Sequence, residues 1–154
     1  MKFSVLYGTE SGNSEFIAQD LVDYMTSELY EAELGDLANT DPTNVDPDVH
    51  AYLIICSTHG EGELPHTAIP FLAELEAKAP DLSGVRYAMF GLGDSFYAET
   101  YSQGSEIIDR KLTELGATRI GEYGRHDASS IDDGTELALA WVPGVLADLK
   151  AQLV

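Results

Sequence analysis

Phe3-Ser4-Val5-Leu6-Tyr7-Gly8-Thr9-Glu10-Ser11-Gly12-Asn13-Ser14 is the stretch that decides how this chain folds. Phe3–Tyr7 is a short, β-rich apolar run closed by Gly8, the pattern of a buried strand. Asn13 and Ser14 are cap-type residues, and behind them Ile17, Leu21 and Met25 recur at i, i+4 and i+8. Ala18, Val22 and Leu29 widen that stripe, so an amphipathic helix is expected after the loop. A strand that passes through a polar, glycine-bearing loop into such a helix opens a βαβ unit.

The remaining sequence repeats the alternation. A weaker strand is expected around Glu31–Leu37, then a Pro/Asp/Asn-rich connection over Asn39–Asp48 with turn signals at Asp41-Pro42 and Asp46-Pro47. Ala51–Cys56 is the most hydrophobic stretch and reads as a central strand buried on both faces. The loop Ser57–Pro65 precedes a helix near Pro70–Lys78, with Pro70 suited to a first turn. Val85–Phe90 is another buried strand, followed by the loop Gly91–Tyr101. Ser105–Leu115 is amphipathic through Ile107, Ile108, Leu112 and Leu115, and Gly116 stops it. Thr118–Tyr123 is a fifth strand. Asp132 or Asp133 caps a final helix through Leu149, which Pro143-Gly144 should kink or split. Five strands alternating with helices predict an α/β fold whose parallel sheet is covered on both faces. Its ligand crevice should lie beyond the carboxyl ends of the strands, at a topological switch point.

Three loops sit at those ends. In Thr9–Ser14, backbone N–H groups and the positive end of a helix favour an anion, and the side chains of Thr9, Ser11, Asn13 and Ser14 add neutral donors. The loop lacks the lysine of a nucleotide-hydrolysing P-loop, so it suits holding a phosphate monoester but not phosphoryl transfer. The same residues also suit plain helix capping, and the residues alone leave both readings open. The loop from Ser57 to Pro65 has Gly60 and Gly62 for close backbone approach, and His59 as a group able to stack, bind a proton or ligate. Gly91-Leu92-Gly93-Asp94-Ser95-Phe96 begins like a dinucleotide fingerprint but ends in Phe96 and follows the wrong strand. Phe96, Tyr97 and Tyr101 could stack on a flat heteroaromatic ring or simply pack over the sheet edge. His50, His59, His66 and His126 have no metal-ligand spacing.

Composition narrows the partners. The chain carries 8 Lys+Arg against 27 Asp+Glu, a formal net charge of −19, which disfavours nucleic acid and anionic membranes. Between Lys2 and Lys78 there is no Lys or Arg, so a site built from that half binds its ligand without its own cation. The acidity suits both solubility and an acidic docking face. A single cysteine, Cys56, and no apolar span or signal-type N-terminus point to a cytoplasmic protein. The 154 residues suit one domain, 1–154, and a monomer is expected.

The three loops in order, with Leu115-Gly116-Ala117 after them, resemble the flavodoxin family over essentially the whole chain. The resemblance is to the short-chain type, similar to MioC-type flavodoxins through Ser57-Thr58-His59-Gly60 and to the FMN domains of diflavin reductases through the fourth-strand loop and Trp141. It implies a flavodoxin-like three-layer fold with sheet order 2-1-3-4-5, and FMN as cofactor. On that basis Thr9, Glu10, Ser11, Gly12, Asn13 and Ser14 would hold the phosphate. Ser57, Thr58, His59, Gly60, Glu61 and Gly62 would bind the cofactor too, His59 standing at the inner ring face, where many relatives place Trp or Tyr. The Gly60–Glu61 carbonyl would turn toward flavin N5 on one-electron reduction and stabilise the semiquinone. Leu92, Gly93, Asp94, Ser95 and Phe96 would meet the pyrimidine edge, and Tyr97 would stack on the outer face.

The resemblance therefore implies an electron carrier, not an enzyme in its own right, shuttling single electrons between flavin semiquinone and hydroquinone states. An NAD(P)H-dependent flavoprotein reductase would be the donor and a redox enzyme the acceptor, both docking on the acidic flavin face. Glu61, Glu63 and Asp94 should push the hydroquinone step to low potential. Rival readings are a small FMN-dependent NAD(P)H:quinone reductase, a flavodoxin-fold interaction module without flavin, and a detached domain of a larger reductase. The helix after Trp141 simply finishes and stops at Val154, which favours a free-standing carrier.

Overall fold

β1 (Lys2–Gly8) buries Phe3 and Val5 on one side of a sheet and Leu6 on the other. The computed structural model, which describes residues 1–9, 12–58, 64–93, 103–127 and 133–153, continues with α1 (Asn13–Ser27), β2 (Glu31–Asp36), β3 (Ala51–Ser57), α2 (Ile69–Lys78) and β4 (Arg86–Gly93). There follow α3 (Gln103–Glu114), β5 (Thr118–Arg119), β6 (Gly124–Asp127) and α4 (Gly134–Leu153). The strands are parallel in the order β2-β1-β3-β4-β5, with β6 also pairing with β4. This is the flavodoxin-like order that the resemblance implied.

Alternation along β3 explains the layers. Leu53 and Ile55 face a core shared with Ile17, Leu21, Met25, Val142, Leu146 and Leu149, so α1 and α4 cover that side. Ile54 and Cys56 face Phe71, Leu75, Ile108 and Leu112, so α2 and α3 cover the other. Each large apolar side chain buried this way contributes about 1.5–3 kcal/mol against the unfolded chain. β2 is a sheet edge, with Glu31 and Glu33 exposed to solvent. Asp41 and Asp46 make the expected turns by accepting the Thr43 and Asp48 amides at 2.9 Å.

Several boundaries differ from the sequence reading, each for a local reason. Asn13 and Ser14 do not precede the helix but form its first turn, because Gly12 takes the N-cap position. Leu29 falls outside α1 and is 93% exposed, holding a left-handed φ of 68° where the chain reverses into β2. β4 runs on through Gly93, since Gly91–Gly93 are laddered to β6 as well as following on from the β3 pairing, and are not loop. α3 starts at Gln103.

The fifth strand is two pieces. Arg119 pairs with Tyr87 and Gly124 with Phe90, so Ile120–Tyr123 bulge opposite Ala88 and Met89. α4 holds the bulge out: the Asp148 carboxylate accepts the Gly121 amide at 2.8 Å, and Trp141 Nε1 donates to the Glu122 carbonyl at 2.7 Å. α4 itself runs unbroken through Pro143. The proline removes one helical hydrogen bond, but it lies on the exposed face while Val142, Val145 and Leu149 anchor the other. Asp133 is the cap, its Oδ1 accepting the Glu136 amide at 3.1 Å, whereas Asp132 lies outside the described residues. Gly116 ends α3 at φ 105°, as expected of a helix stop.

Candidate functional site

The sheet order reverses between β1 and β3, so their carboxyl ends open a crevice between loops that leave in opposite directions. Register sets Gly8 beside Cys56, and Ser57 beside Leu92. Predicted residues Thr9, Ser57, Thr58, Leu92 and Gly93 are thus gathered at neighbouring strand ends. Thr58 ties that corner together: its amide donates to Leu92 O at 2.9 Å and its Oγ1 accepts the Gly104 amide at 3.0 Å. Ser57 Oγ reaches the Gly8 carbonyl at 3.4 Å.

At the end of β1, Thr9 is nearly buried and its Oγ1 accepts the Gly12 amide at 2.7 Å. Gly12 has φ 96°, a backbone conformation that glycine adopts without a Cβ penalty. Having no side chain, it gives α1 no side-chain cap, so the N-cap position leaves the first-turn amides without one. Ser14 is fully buried, and its Oγ has no hydrogen-bond partner among the described residues. A buried hydroxyl without a partner is rare in a folded protein. Here it stands in the first turn of a helix whose positive end favours an anion. These residues fit a phosphate group: neutral donors, a helix N-terminus whose N-cap is a glycine, and a hydroxyl without a partner among the described residues.

Charge is distributed end to end. Lys2 and Arg86 begin strands, while Lys78, Lys111 and Lys150 stand in the last turns of α2, α3 and α4. Helices return antiparallel to the strands they join, so these cations collect at the amino end of the sheet. At the crevice end, burial and then Asp36 and Glu15 hold the Tyr7 phenol above its ordinary range. Arg125, on β6, is paired with Glu106 at 2.9 Å. Phe16 and Ile69, in the first turns of α1 and α2, are 71% and 52% exposed.

Other chemistry finds little footing. Burial pushes the Cys56 thiol up to about 12, so it is neither a nucleophile nor a ligand at neutral pH. Among the described residues, no group of three or more His, Cys, Asp or Glu is placed to hold a metal. An apolar cavity of about 70 Å³ lies under the 40–45 loop on the α2–α3 side, away from the crevice. No helix among the described residues is long and apolar enough to cross a membrane.

Glu10, Ser11, His59, Gly60, Glu61, Gly62, Asp94, Ser95, Phe96 and Tyr97 lie outside the described residues, as does the Asn13 side chain. One residue the sequence did not single out joins the site. Thr67, on the 3-10 turn His66–Ala68, accepts the Thr9 amide at 2.7 Å through its hydroxyl. Nothing local signals a contact spanning 58 positions.

The model of the family described as flavodoxin matches residues 5–141. The MioC homolog of Haemophilus influenzae is 30% identical over 97% of this chain and the whole of that protein. The sulfite reductase [NADPH] flavoprotein alpha-component of Bacillus subtilis is 34% identical over 96% of this chain, which spans 24% of that longer protein. Among solved structures, a cysteine-to-serine mutant of flavodoxin from Pseudomonas aeruginosa superposes with a TM-score of 0.80 at 28% identity, covering 97% of this chain and 99% of that one. The family match, the relatives and the sheet order agree: the chain belongs to the flavodoxin family of FMN-binding electron-transfer proteins.

Proposed function

We propose that residues 1–154 act as a single FMN domain that carries electrons one at a time from a flavoprotein reductase to a redox enzyme. The observation that carries the reading is the buried Ser14 hydroxyl, without a partner among the described residues, in a first helical turn that its N-cap glycine leaves without a side-chain cap, beside the point where the sheet order reverses. Thr9, Glu10, Ser11, Gly12, Asn13 and Ser14 would hold the phosphate. Ser57 and Thr58, with His59–Gly62 beyond them, would flank one side of the ring, and Leu92–Tyr97 its edge and other face. FMN, when bound, supplies the redox chemistry. The chain's own part is to bind it through neutral donors, orient it and surround it with negative charge.

The crowding of cations at the far end supports an acidic docking face around the crevice, and exposed Phe16 and Ile69 offer apolar contact there. An NAD(P)H-dependent reductase and an acceptor with basic patches would dock on it in turn, in the cytoplasm and on a monomeric carrier. Transfer rates should then fall as ionic strength rises.

The direct test is a visible absorption spectrum of the purified protein after adding FMN and desalting. Flavin bands at about one FMN per chain support the reading, as the family's single-cofactor fold requires. A colourless protein would overturn it in favour of an interaction module. Steady NAD(P)H oxidation by the isolated flavoprotein would assign a quinone-reductase type of enzyme instead.

A further inference from the structure

Among the described residues, the Thr67 hydroxyl bonds to both backbone groups of one residue. It accepts the Thr9 amide at 2.7 Å and donates to the Thr9 carbonyl at 3.2 Å. The Thr67 amide reaches the same carbonyl at 3.4 Å. Thr9 passes the constraint on, since its Oγ1 holds the Gly12 amide at 2.7 Å, and Gly12 leads into the turn that carries Ser14. The segment bearing Thr67 is itself fixed. Pro65 and Ala68 are buried, and the Ala68 amide closes a turn onto the Pro65 carbonyl at 2.9 Å.

We propose that Thr67 is a positioning residue for phosphate binding, acting through Thr9 to hold the loop after β1 in its anion-receiving conformation. The inference rests on the reading of Thr9–Ser14 as the phosphate loop. Its physical basis is conformational freedom at Gly12. A glycine at φ 96° readily samples other backbone regions once its amide is released, and the first-turn donors then no longer converge. A ligand that needs the ordered loop binds more weakly in proportion to the fraction of molecules that present it. Thr67 also follows closely on the second loop, so it joins the phosphate end of the crevice to the ring end.

The test compares FMN with riboflavin, the same ring system without the phosphate, by flavin fluorescence titration of wild type, Thr67→Val and Thr67→Ser. With the staple lost, Thr67→Val should weaken FMN about tenfold, the worth of one or two net hydrogen bonds, and leave riboflavin within about twofold. Thr67→Ser, which keeps the hydroxyl, should restore the FMN preference. Should the valine variant not fold, Thr67→Ala gives the same comparison. Equal weakening of FMN and riboflavin, or unchanged FMN affinity in Thr67→Val, overturns the inference while leaving the phosphate-loop reading intact. A wild-type protein that binds riboflavin as tightly as FMN overturns the phosphate-loop reading and the inference together.

Discussion

Replacing Ser14 with alanine should move the apoprotein and the flavoprotein in opposite directions. In the apoprotein the Ser14 hydroxyl is fully buried without a partner among the described residues, a burden of about 1–2 kcal/mol that alanine removes while also favouring the helix. With FMN bound as proposed, the hydroxyl would donate to a phosphate oxygen, and losing that bond would cost the holoprotein about 1 kcal/mol net. The thermodynamic cycle must close. The affinity loss is therefore the sum of the two, about 2–3 kcal/mol, or about 30- to 140-fold in dissociation constant. Urea unfolding at 25 °C gives the apo and holo stabilities, and fluorescence titration gives the affinity independently. An apo Ser14→Ala protein less stable than wild type, or one that binds FMN equally well, would refute the assignment of that hydroxyl to the phosphate.

The remaining predictions concern the scaffold. Gly124→Ala should destabilise by about 1–3 kcal/mol in denaturant titration, because its Cβ would run into Phe90 Cδ2 and lie 2.9 Å from Trp141 Cδ1. Cys56 should resist thiol reagents in the native protein and react at once in urea, since it is wholly buried with its thiol pushed up to about 12. Its raised folded pKa contributes stability that is complete below the unfolded value near 9 and is lost as pH rises toward about 12. Stability should therefore fall with a slope of about 1.4 kcal/mol per pH unit from this thiol, and Cys56→Ala should lack that part of the slope. Tyr87 and Tyr123, whose phenols burial also holds above their ordinary range, should steepen the decline above pH 10 in both proteins.

The sheet was legible because its signals are local. Phe3–Tyr7 and Ala51–Cys56 carry enough consecutive apolar residues to require burial on two sides, and the glycine- and hydroxyl-rich loops fall where those runs stop. Thr9, Gly12 and Ser14 stand out in the sequence for the same reason. What escaped depends on distant contacts. The reach of Thr67 to Thr9 spans 58 positions, and nothing in His66-Thr67-Ala68 announces it. The break in the edge strand is decided by Asp148 and Trp141 on a later helix, which capture Gly121 and Glu122. Ser14 looks like a cap in sequence, and only the left-handed turn at Gly12 moves it inside the helix, where its hydroxyl has no partner among the described residues. Leu29 fits the periodicity of α1, but the reversal into β2 comes first.

That interrupted edge also bears on how the protein behaves at high concentration. β3 and β4 are apolar on both faces, so a second chain able to extend the sheet would find a favourable template. Neither border admits one easily. On the β2 side an incoming strand must approach Glu31 and Glu33, and another copy of this chain would bring further carboxylates with it. On the far side, β5 offers Thr118 and Arg119 before the chain swings away at Ile120–Tyr123. Arg119 and Arg125 then close over the Tyr123 ring at 5.2 and 4.2 Å, keeping two charged side chains beside the gap. The bulge that α4 pulls out of line thus works against strand addition at that border of a very apolar central slab.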